Sequence, residues 1–347
     1  MMVRDYLIFT TAALLASALV TGFLLRYLRR KGVMDIPNER SSHVVPTPRG
    51  GGLGIVVSVL SLSMIYILIT GEYRFIYLLA PALVMSFVGW LDDYKGGLPS
   101  GIRFLAQIVL ALIVILAFGG IEYFPFPAPL DFKLGYASIP ISLIWIVGVT
   151  NIYNFLDGID GFAGTQGILA AFAFAAFSMD PHLRMISLIT GAACVGFLLY
   201  NWSPARIFMG DVSSAFLGFF FASLPFLGTE KLCMSLTRTD YFFAMGVFLW
   251  FFLSDGVFTM IRRIIKGEKI WVAHRSHLYQ RLVISGLSHS RVVMIIGATA
   301  LLLYAVFFIR WWHYKPTTHW YIILLMLGLF AVYWVMTIFR ERKASGS

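Results

Sequence analysis

Long apolar runs alternate with short polar segments along the whole chain, and this pattern predicts a membrane protein built from helices. We therefore predict an all-α, polytopic fold of about 11 transmembrane helices in a single domain covering residues 1–347. The predicted segments are residues 5–27, 53–70, 75–91, 103–119, 138–152, 162–178, 184–200, 214–228, 241–261, 292–309 and 319–339.

The composition agrees with this class. Hydrophobic residues make up 59% of the chain, charged residues 13%, and the mean hydropathy is +0.82. These values are typical of a polytopic membrane protein rather than of a soluble domain. The first apolar segment ends in basic residues, beginning at Arg26, rather than in a small-residue cleavage site. We therefore expect it to be an anchor and not a signal peptide.

The distribution of basic residues predicts the orientation of the chain. If the N-terminus lies outside and the segments cross alternately, 19 of the 27 Lys and Arg residues face the inner side. The positive-inside rule then predicts a periplasmic N-terminus and a cytoplasmic C-terminus. The net charge of +10 reflects this bias together with attraction to anionic lipid headgroups, so no nucleic-acid partner is inferred.

The most informative motif is Asn-Ile-Tyr-Asn-Phe-Leu-Asp-Gly-Ile-Asp-Gly, at residues 151–161, which ends a strongly apolar run. A charge at the centre of a membrane helix costs about 2.5–3.5 kcal/mol on insertion scales, so two carboxylates would not be placed in lipid for packing alone. Asp157 and Asp160 are three residues apart and fall on one helix face. Such a face suits a hard cation and a polar substrate.

Every other unusual polar motif falls on the same predicted inner side. Five loops distant in sequence are therefore expected to converge on one cytoplasmic surface, where we place the active site. They contain residues 35–52, Asp92-Asp93, residues 151–161, Phe-Met-Gly-Asp-Val-Ser-Ser at 208–214, and His-Arg-Ser-His at 274–277.

Each of these motifs also has a plain structural interpretation. Asp92-Asp93 is compatible with an ordinary charged helix end, and Asp211 with the N-cap of a helix. Arg49 and the three glycines after it suit either a flexible entry to a helix or a backbone nest for an anion. The lone acid of the ninth apolar segment, Asp255, is compatible with an internal hydrogen-bond network.

The histidine pair has two competing interpretations. His274 and His277 have the spacing of a zinc pair, but no third ligand stands nearby in the sequence. A cationic group of His274, Arg275, His277 and Arg281 suits phosphate better. The conjunction of five such motifs on one face, rather than any single one, favours an active site.

This conjunction resembles the polyprenyl-phosphate N-acetylhexosamine-1-phosphate transferases, glycosyltransferase family 4. The similarity extends from about residue 35 to residue 281 and rests on the aspartate pair, the 151–161 motif, the Met-Gly-Asp turn at 209–211 and the basic loop at 274–277. It implies transfer of a sugar phosphate from a UDP-activated N-acetylated sugar to undecaprenyl phosphate, with release of UMP, by a membrane enzyme that uses Mg²⁺ or Mn²⁺.

The resemblance also implies roles for individual residues. Asp211 and Asn154 are expected to be metal ligands, and Asp157 and Asp160 to orient the metal or the nucleotide. Asp92 and Asp93 are expected to combine positioning with proton transfer. A phosphate monoester is already mostly a dianion at neutral pH, which limits the gain from a general base. The candidate substrate-binding residues are Arg49, Arg103, Asn151, His274, Arg275 and His277, with Arg103 placed to hold the lipid phosphate.

The basic loop also suggests a branch of the family. It lacks the triple histidine of the peptidoglycan branch and the His-x-His-His of the enterobacterial common antigen and teichoic acid branches. It is closer to enzymes that initiate O-antigen or exopolysaccharide synthesis in the bacterial inner membrane, as is the Pro-Asn-x-Arg-Ser-x-His motif at residues 37–43. The donor is then expected to be UDP-GlcNAc or a UDP-N-acetyl-6-deoxyhexosamine, and a homodimer is left open.

Other classes remain as alternatives. A phospho-MurNAc-pentapeptide transferase is the alternative within the family, and a polar-solute transporter is one outside it. A transporter would carry its acids near the bilayer midplane, whereas these acids cluster at one face. A prenyl transferase would need a second Asp-rich motif, which the sequence lacks. A non-catalytic scaffold would not need five polar motifs on one face of the membrane.

The predicted orientation can be tested with reporters. A reporter fused after Arg342 should be cytoplasmic, and one inserted within residues 120–137 should be periplasmic, because basic residues concentrate on the inner side. A cysteine placed at Gly96 should be shielded from impermeant thiol reagents in intact cells. Labelling of that cysteine from outside would reverse the orientation and move the site to the other face.

Overall fold

The fold is described by a computed structural model, which covers residues 3–37, 45–228, 236–269, 274–313 and 320–345. Within these ranges the chain forms α-helices with three isolated β-bridges and no named strand. Most of the motif at residues 37–43 lies outside the described residues. The helices are α1 (Val3–Lys31), α2 (Leu53–Thr70), α3 (Ile76–Lys95), α4 (Ser100–Phe118), α5 (Ser138–Phe155), α6 (Phe162–Phe177), α7 (Pro181–Asn201), α8 (Asp211–Ser223), α9 (Arg238–Phe248), α10 (Trp250–Ile265), α11 (Leu278–Ile284), α12 (His289–His313) and α13 (Trp320–Ser345).

The all-α, multi-pass prediction is confirmed, but the count of about 11 spans is not. In the described part of the chain, eight helices are long and apolar enough to cross a membrane, and nine if one bent pair counts as a single span. Two predicted segments are shorter apolar helices, Phe162–Phe177 and Asp211–Leu227. At 1.5 Å per residue, sixteen residues reach only roughly 24 Å, less than the ~30 Å hydrocarbon core.

The bent pair is the ninth predicted segment, which breaks at Leu249 into α9 and α10 with a bend of 74°. A break exposes backbone groups that lipid cannot satisfy, so it requires internal partners. The carbonyl of Phe248 accepts hydrogen bonds from Gln166 Nε2, at 2.7 Å, and from the hydroxyl of Tyr304. Both donors come from neighbouring helices, so the break is fixed by tertiary contacts.

Helix α8 forms the centre of the bundle. Every residue from Val212 to Ser223 is buried, and the helix packs against both α3 and α5. Two glycines permit these close approaches: an added Cβ at Gly218 would lie 2.8 Å from Tyr153 Cβ, and one at Gly89 of α3 would collide with the Asp211 carbonyl. The start of α8 is therefore pressed directly against the end of α3 that carries the aspartate pair.

A substitution at Gly89 tests this contact. Gly89→Ala should lower the apparent melting temperature and the activity, because overpacking a tight contact costs about 1–3 kcal/mol and moves the Asp211 backbone. Gly148→Ala is the matched control, since Gly148 is also helical and an added Cβ there meets nothing within 4 Å. Thermal unfolding in detergent measures both. Equal melting temperatures for the two variants would contradict the tight α3–α8 approach.

Candidate active site

The guanidinium of Arg49 lies between two carboxylates that come from different helices. Its Nε is 2.9 Å from Asp93 Oδ1 on α3, and its Nη2 is 2.7 Å from Asp211 Oδ1 on α8. The first contact is an ion pair without hydrogen-bond alignment, so the buried Asp93 Oδ1 has no hydrogen-bond donor among the described residues. One cation thus bridges two anionic groups that would otherwise repel each other.

Asp93 also completes the start of α8. The preceding residue, Gly210, has no side chain to cap the helix, and the Val212 amide donates instead to Asp93 Oδ2, at 3.1 Å. Asp211 is the first helical residue and makes no capping bond to its own helix. The N-cap interpretation of Asp211 is therefore wrong, because a carboxylate from α3 performs that function.

A second arginine extends the cluster through Asp92. Arg103 Nη1 is 3.1 Å from Asp92 Oδ2 and 3.7 Å from Asp211 Oδ2. The other oxygen of Asp92 accepts the backbone amide of Leu98, which closes the turn between α3 and α4. Arg103 therefore lies beside the aspartates, and its predicted role of holding a lipid phosphate stays a prediction.

The segment that carries Arg49 is held by backbone pairing. Arg49 forms a parallel bridge with Phe208, and the amides of Gly50, Gly51 and Gly52 donate to the carbonyls of residues 208 and 209 at 2.9–3.2 Å. These amides are engaged within the protein. The prediction of an anion-binding glycine nest is therefore wrong, and the glycines serve the close approach of two chain segments instead.

The 151–161 motif contributes Asn154 and Asp157 next to this cluster. Asn154 Nδ2 donates to Ser214 Oγ, at 2.8 Å, one turn into the helix that begins with Asp211. Asp157 lies in the loop after α5. Burial raises the pKa of Asp157 to about 7, and nearby carboxylates strengthen the shift against the opposing effect of Arg49.

Two other residues of the motif have partners of their own. Asn151 forms a reciprocal amide pair with Gln107 of α4, at 2.6 and 3.2 Å, so its predicted contact with substrate would require these bonds to break. Asp160 Oδ2 lies 3.3 Å from His289 Nδ1 and accepts the Ala205 amide at 3.1 Å. Burial opposes ionisation, but the hydrogen bond and charge of His289 lower the pKa of Asp160. This contact set favours a supporting role for Asp160.

The basic loop lies beside the motif and is less cationic than the sequence suggested. Burial and neighbouring positive groups lower the pKa of His274 to about 4, so this imidazole is neutral at pH 7. Its ring stacks on that of His277, with centroids 4.9 Å apart. The Arg275 Nε is buried and has no hydrogen-bond partner in the described ranges. The guanidinium of Arg275 supplies a permanent positive charge to this loop.

Sequence reasoning missed the residues that support the site. In the sequence, Gln107 stands in an apolar run and His289 in a polar one. Neither residue has a spacing that relates it to the 151–161 motif, which is 40 or more residues away. A lone Gln inside an otherwise apolar helix was the one available signal, because a polar group there needs a partner.

The carboxylate arrangement can be compared with the needs of a divalent cation. The described residues form no group of three or more His, Cys, Asp or Glu disposed to hold a metal. Mg²⁺ does not require one, because it keeps several waters and takes one or two carboxylates plus substrate phosphates. The pair Asp93 and Asp211 already accepts a cationic group between its oxygens, and Asp93 Oδ1 lacks a hydrogen-bond donor among the described residues. These residues therefore fit Mg²⁺.

Comparison with known proteins identifies the family. The model of glycosyl transferase family 4 matches residues 75–229. The chain is 31% identical over 291 residues to a probable undecaprenyl-phosphate N-acetylglucosaminyl 1-phosphate transferase of Bacillus subtilis, covering 82% of this chain and 79% of the relative. The chain belongs to the polyprenyl-phosphate N-acetylhexosamine-1-phosphate transferase superfamily.

Further relatives of this transferase come from two groups. One is the decaprenyl-phosphate N-acetylglucosaminephosphotransferase of Mycobacterium tuberculosis, 32% identical over 319 residues, with 81% of this chain and 78% of the relative covered. The other is the phospho-N-acetylmuramoyl-pentapeptide-transferase of Staphylococcus epidermidis, 30% identical over 251 residues, with 66% and 78% covered. The family resemblance predicted from the motifs is therefore confirmed, whereas the O-antigen branch stays a prediction.

The raised pKa of Asp157 predicts a pH-dependent stability. A carboxyl whose folded pKa exceeds its unfolded value of about 3.9 contributes full stability below that value and loses it as the pH rises through the folded pKa. Asp157→Asn should therefore raise the apparent melting temperature at pH 8, and the gain should shrink as the pH falls from about 7 to about 4.

The control for this measurement is Asp131→Asn, which changes an exposed aspartate of the loop between α4 and α5. Its effect should not vary over the same pH range. Thermal unfolding in one detergent buffer series compares both variants with the wild type. A gain for Asp157→Asn of equal size at pH 5 and pH 8 would show that the carboxyl is not perturbed.

Proposed function

We propose that this enzyme transfers an N-acetylhexosamine-1-phosphate from a UDP-sugar to undecaprenyl phosphate, releases UMP, and thereby initiates O-antigen or a related envelope polysaccharide. The observation that carries the proposal is the set of three aspartates bridged by Arg49 and Arg103 where α3 meets α8. Phosphoryl transfer depends mainly on charge neutralisation and alignment, and this cluster offers carboxylates for a cation beside arginines for phosphates.

A divalent cation would be held by Asp211 and Asp93, with Asn154 close to the same end of α8. When bound, Mg²⁺ would neutralise the diphosphate of the donor and polarise its phosphoryl oxygens. Mn²⁺ is expected to substitute, since it accepts the same oxygen ligands. Zinc is not supported, because His274 and His277 have no third ligand group among the described residues.

The arginines have separate tasks. Arg103 opens α4 beside Asp92 and is placed to bind the phosphate of the lipid acceptor, which reaches the site from the bilayer. Arg49 lies between Asp93 and Asp211, where its guanidinium would bind the diphosphate of the donor. Asp92 closes the turn before α4, which supports positioning as its main contribution.

The basic loop at residues 274–277 supports binding of the donor. Arg275 supplies a charge that is not paired with an acid in the described structure, and His274 and His277 supply imidazole edges. Tyr279 of α11 contacts Phe155, two residues from Asp157, so this segment borders the carboxylate cluster. It would lie along the sugar diphosphate opposite the aspartates.

The identity of the sugar rests on finer features. The relatives from Bacillus subtilis and Mycobacterium tuberculosis carry N-acetylglucosamine in their names, which favours UDP-GlcNAc as the donor. The basic loop supports an O-antigen or exopolysaccharide branch, with a UDP-N-acetyl-6-deoxyhexosamine as the second candidate donor. The relative from Staphylococcus epidermidis is named for phospho-N-acetylmuramoyl-pentapeptide transfer, which keeps transfer of that group as the alternative. The enzyme would work at the inner face of the bacterial cytoplasmic membrane.

A donor panel tests the proposal. Purified enzyme with undecaprenyl phosphate and Mg²⁺ should release UMP and form a lipid-linked product with one UDP-N-acetylhexosamine, and chelation should abolish both. Asp211→Asn should fold, lose most activity, and recover part of it at high Mg²⁺ or Mn²⁺, because an amide is a weaker ligand for a hard cation. Absence of UMP release with every donor, or full activity of Asp211→Asn at low Mg²⁺, would contradict the proposal.

A further inference from the structure

Asp255 is a carboxylate buried inside α10, with 1% of its surface exposed, and it accepts five hydrogen bonds. Such a group is stable in an apolar interior only when its oxygens are satisfied by donors. The donors are Leu278 N at 2.9 Å, Tyr279 N at 3.1 Å, His277 Nδ1 at 3.2 Å, Thr259 Oγ1 at 3.1 Å and Tyr333 Oη at 3.1 Å. They come from α10, from α13 and from the start of α11.

Three of the five donors belong to consecutive residues, His277 at the end of the basic loop and Leu278 and Tyr279 at the start of α11. The two backbone amides are orphan donors of the first turn of α11, and the imidazole belongs to the residue before it. Because one carboxylate binds all three, it fixes both the direction of α11 and the ring orientation of His277. No other acid within reach of α11 in the described structure makes these contacts.

The start of α11 in turn contacts the segment that carries Asp157. The Tyr279 hydroxyl donates to the carbonyl of Phe155, at 3.3 Å, and the Tyr279 ring lies 4.8 Å from that of Phe162. A Cβ at Gly158 would collide with the Tyr279 hydroxyl, so the two segments touch without space between them. Asp255 is thereby linked to the candidate active site through α11.

The other edge of the His277 ring is not used by the described residues. Its Nε2 is buried and makes no hydrogen bond within the described ranges, although Nδ1 is bound to Asp255. A buried polar atom without a partner is rare in a folded protein and indicates a role for a ligand or a water. The neighbouring ring of His274 stacks on the face of the His277 imidazole, with centroids 4.9 Å apart, so it does not occupy that edge.

The last helix strengthens the same arrangement. Tyr333 of α13 donates to Asp255, and Glu341 near the end of α13 forms a two-point ion pair with Arg281 of α11, at 2.6 and 2.5 Å. Two-point arginine–carboxylate pairs restrict geometry as well as adding energy. Helix α13 therefore holds α11 directly through Arg281 and indirectly through Asp255.

We propose that Asp255 is a positioning residue that acts through His277: it holds the imidazole so that Nε2 faces the sugar diphosphate of the nucleotide donor. This inference rests on the proposed function for the identity of the ligand. The positioning itself depends only on contacts within the chain. Asp255 does not touch the reacting atoms, and its effect on the reaction passes through the ring of His277 and the start of α11.

A double-mutant cycle distinguishes this role from a general loss of stability. Asp255→Asn and His277→Gln should each raise the KM for the UDP-sugar about tenfold, the scale of one hydrogen bond to a charged group, with a smaller change in kcat. The double variant should be no worse than either single variant, because residues that act as one unit are not additive. Additive losses, or an unchanged KM in Asp255→Asn, would overturn the inference.

A second measurement does not depend on activity. Hydrogen–deuterium exchange of the peptide covering residues 274–284 should increase in Asp255→Asn and, to a smaller extent, in Tyr333→Phe. The matched control is Thr190→Val, which removes a buried hydroxyl bonded to the Ile186 carbonyl within α7 and should leave this peptide and the KM unchanged. Unchanged exchange in both Asp255→Asn and Tyr333→Phe would remove the positioning role, whereas increased exchange without any UMP release by the wild type would refute only the proposed function.

Discussion

The structure depends on two carboxylates, Asp93 and Asp211, held next to each other by a single guanidinium. Like charges at such a separation repel strongly in a partly buried place, so the arrangement requires a cation and hydrogen-bond donors. Arg49 supplies the cation, and the first turn of α8 supplies a donor to Asp93. The close approach at Gly89 and the backbone pairing of residues 50–52 with residues 208–209 bring the three chain segments to this point.

The same rule governs the apolar part of the molecule. The broken helix near Leu249 and the buried carboxylate of Asp255 are both satisfied by donors from neighbouring helices. Because lipid cannot supply hydrogen bonds, these partners must come from the chain, and each forms a cross-link between helices. These buried polar contacts therefore fix the positions of α10 and α11, and through them the place where the basic loop meets the aspartates.

The carboxylate cluster suits relatives that act on different sugars. Relatives that share about 30% of their residues with this chain include enzymes named for different sugar donors. A carboxylate cluster that holds a cation, which would in turn neutralise a diphosphate, could serve all of them, since phosphoryl transfer needs charge and alignment more than sugar recognition. The residues that distinguish one sugar donor from another are then expected in the basic loop and α11, whose position is set by Asp255 rather than by the cluster.

The class, the helices and most of the candidate site residues could be predicted from the sequence, because long apolar runs must be buried or placed in lipid and carboxylates beside them need polar partners. The number of membrane crossings could not, since α6 and α8 are short and α9–α10 is bent by contacts from other helices. The folded structure was needed to show that Asp93 caps α8, that the glycine amides bind residues 208–209, and that Asn151 and Asp160 have internal partners. Those facts depend on which side chains meet across 40 or more residues, and spacing along one chain carries no information about such meetings.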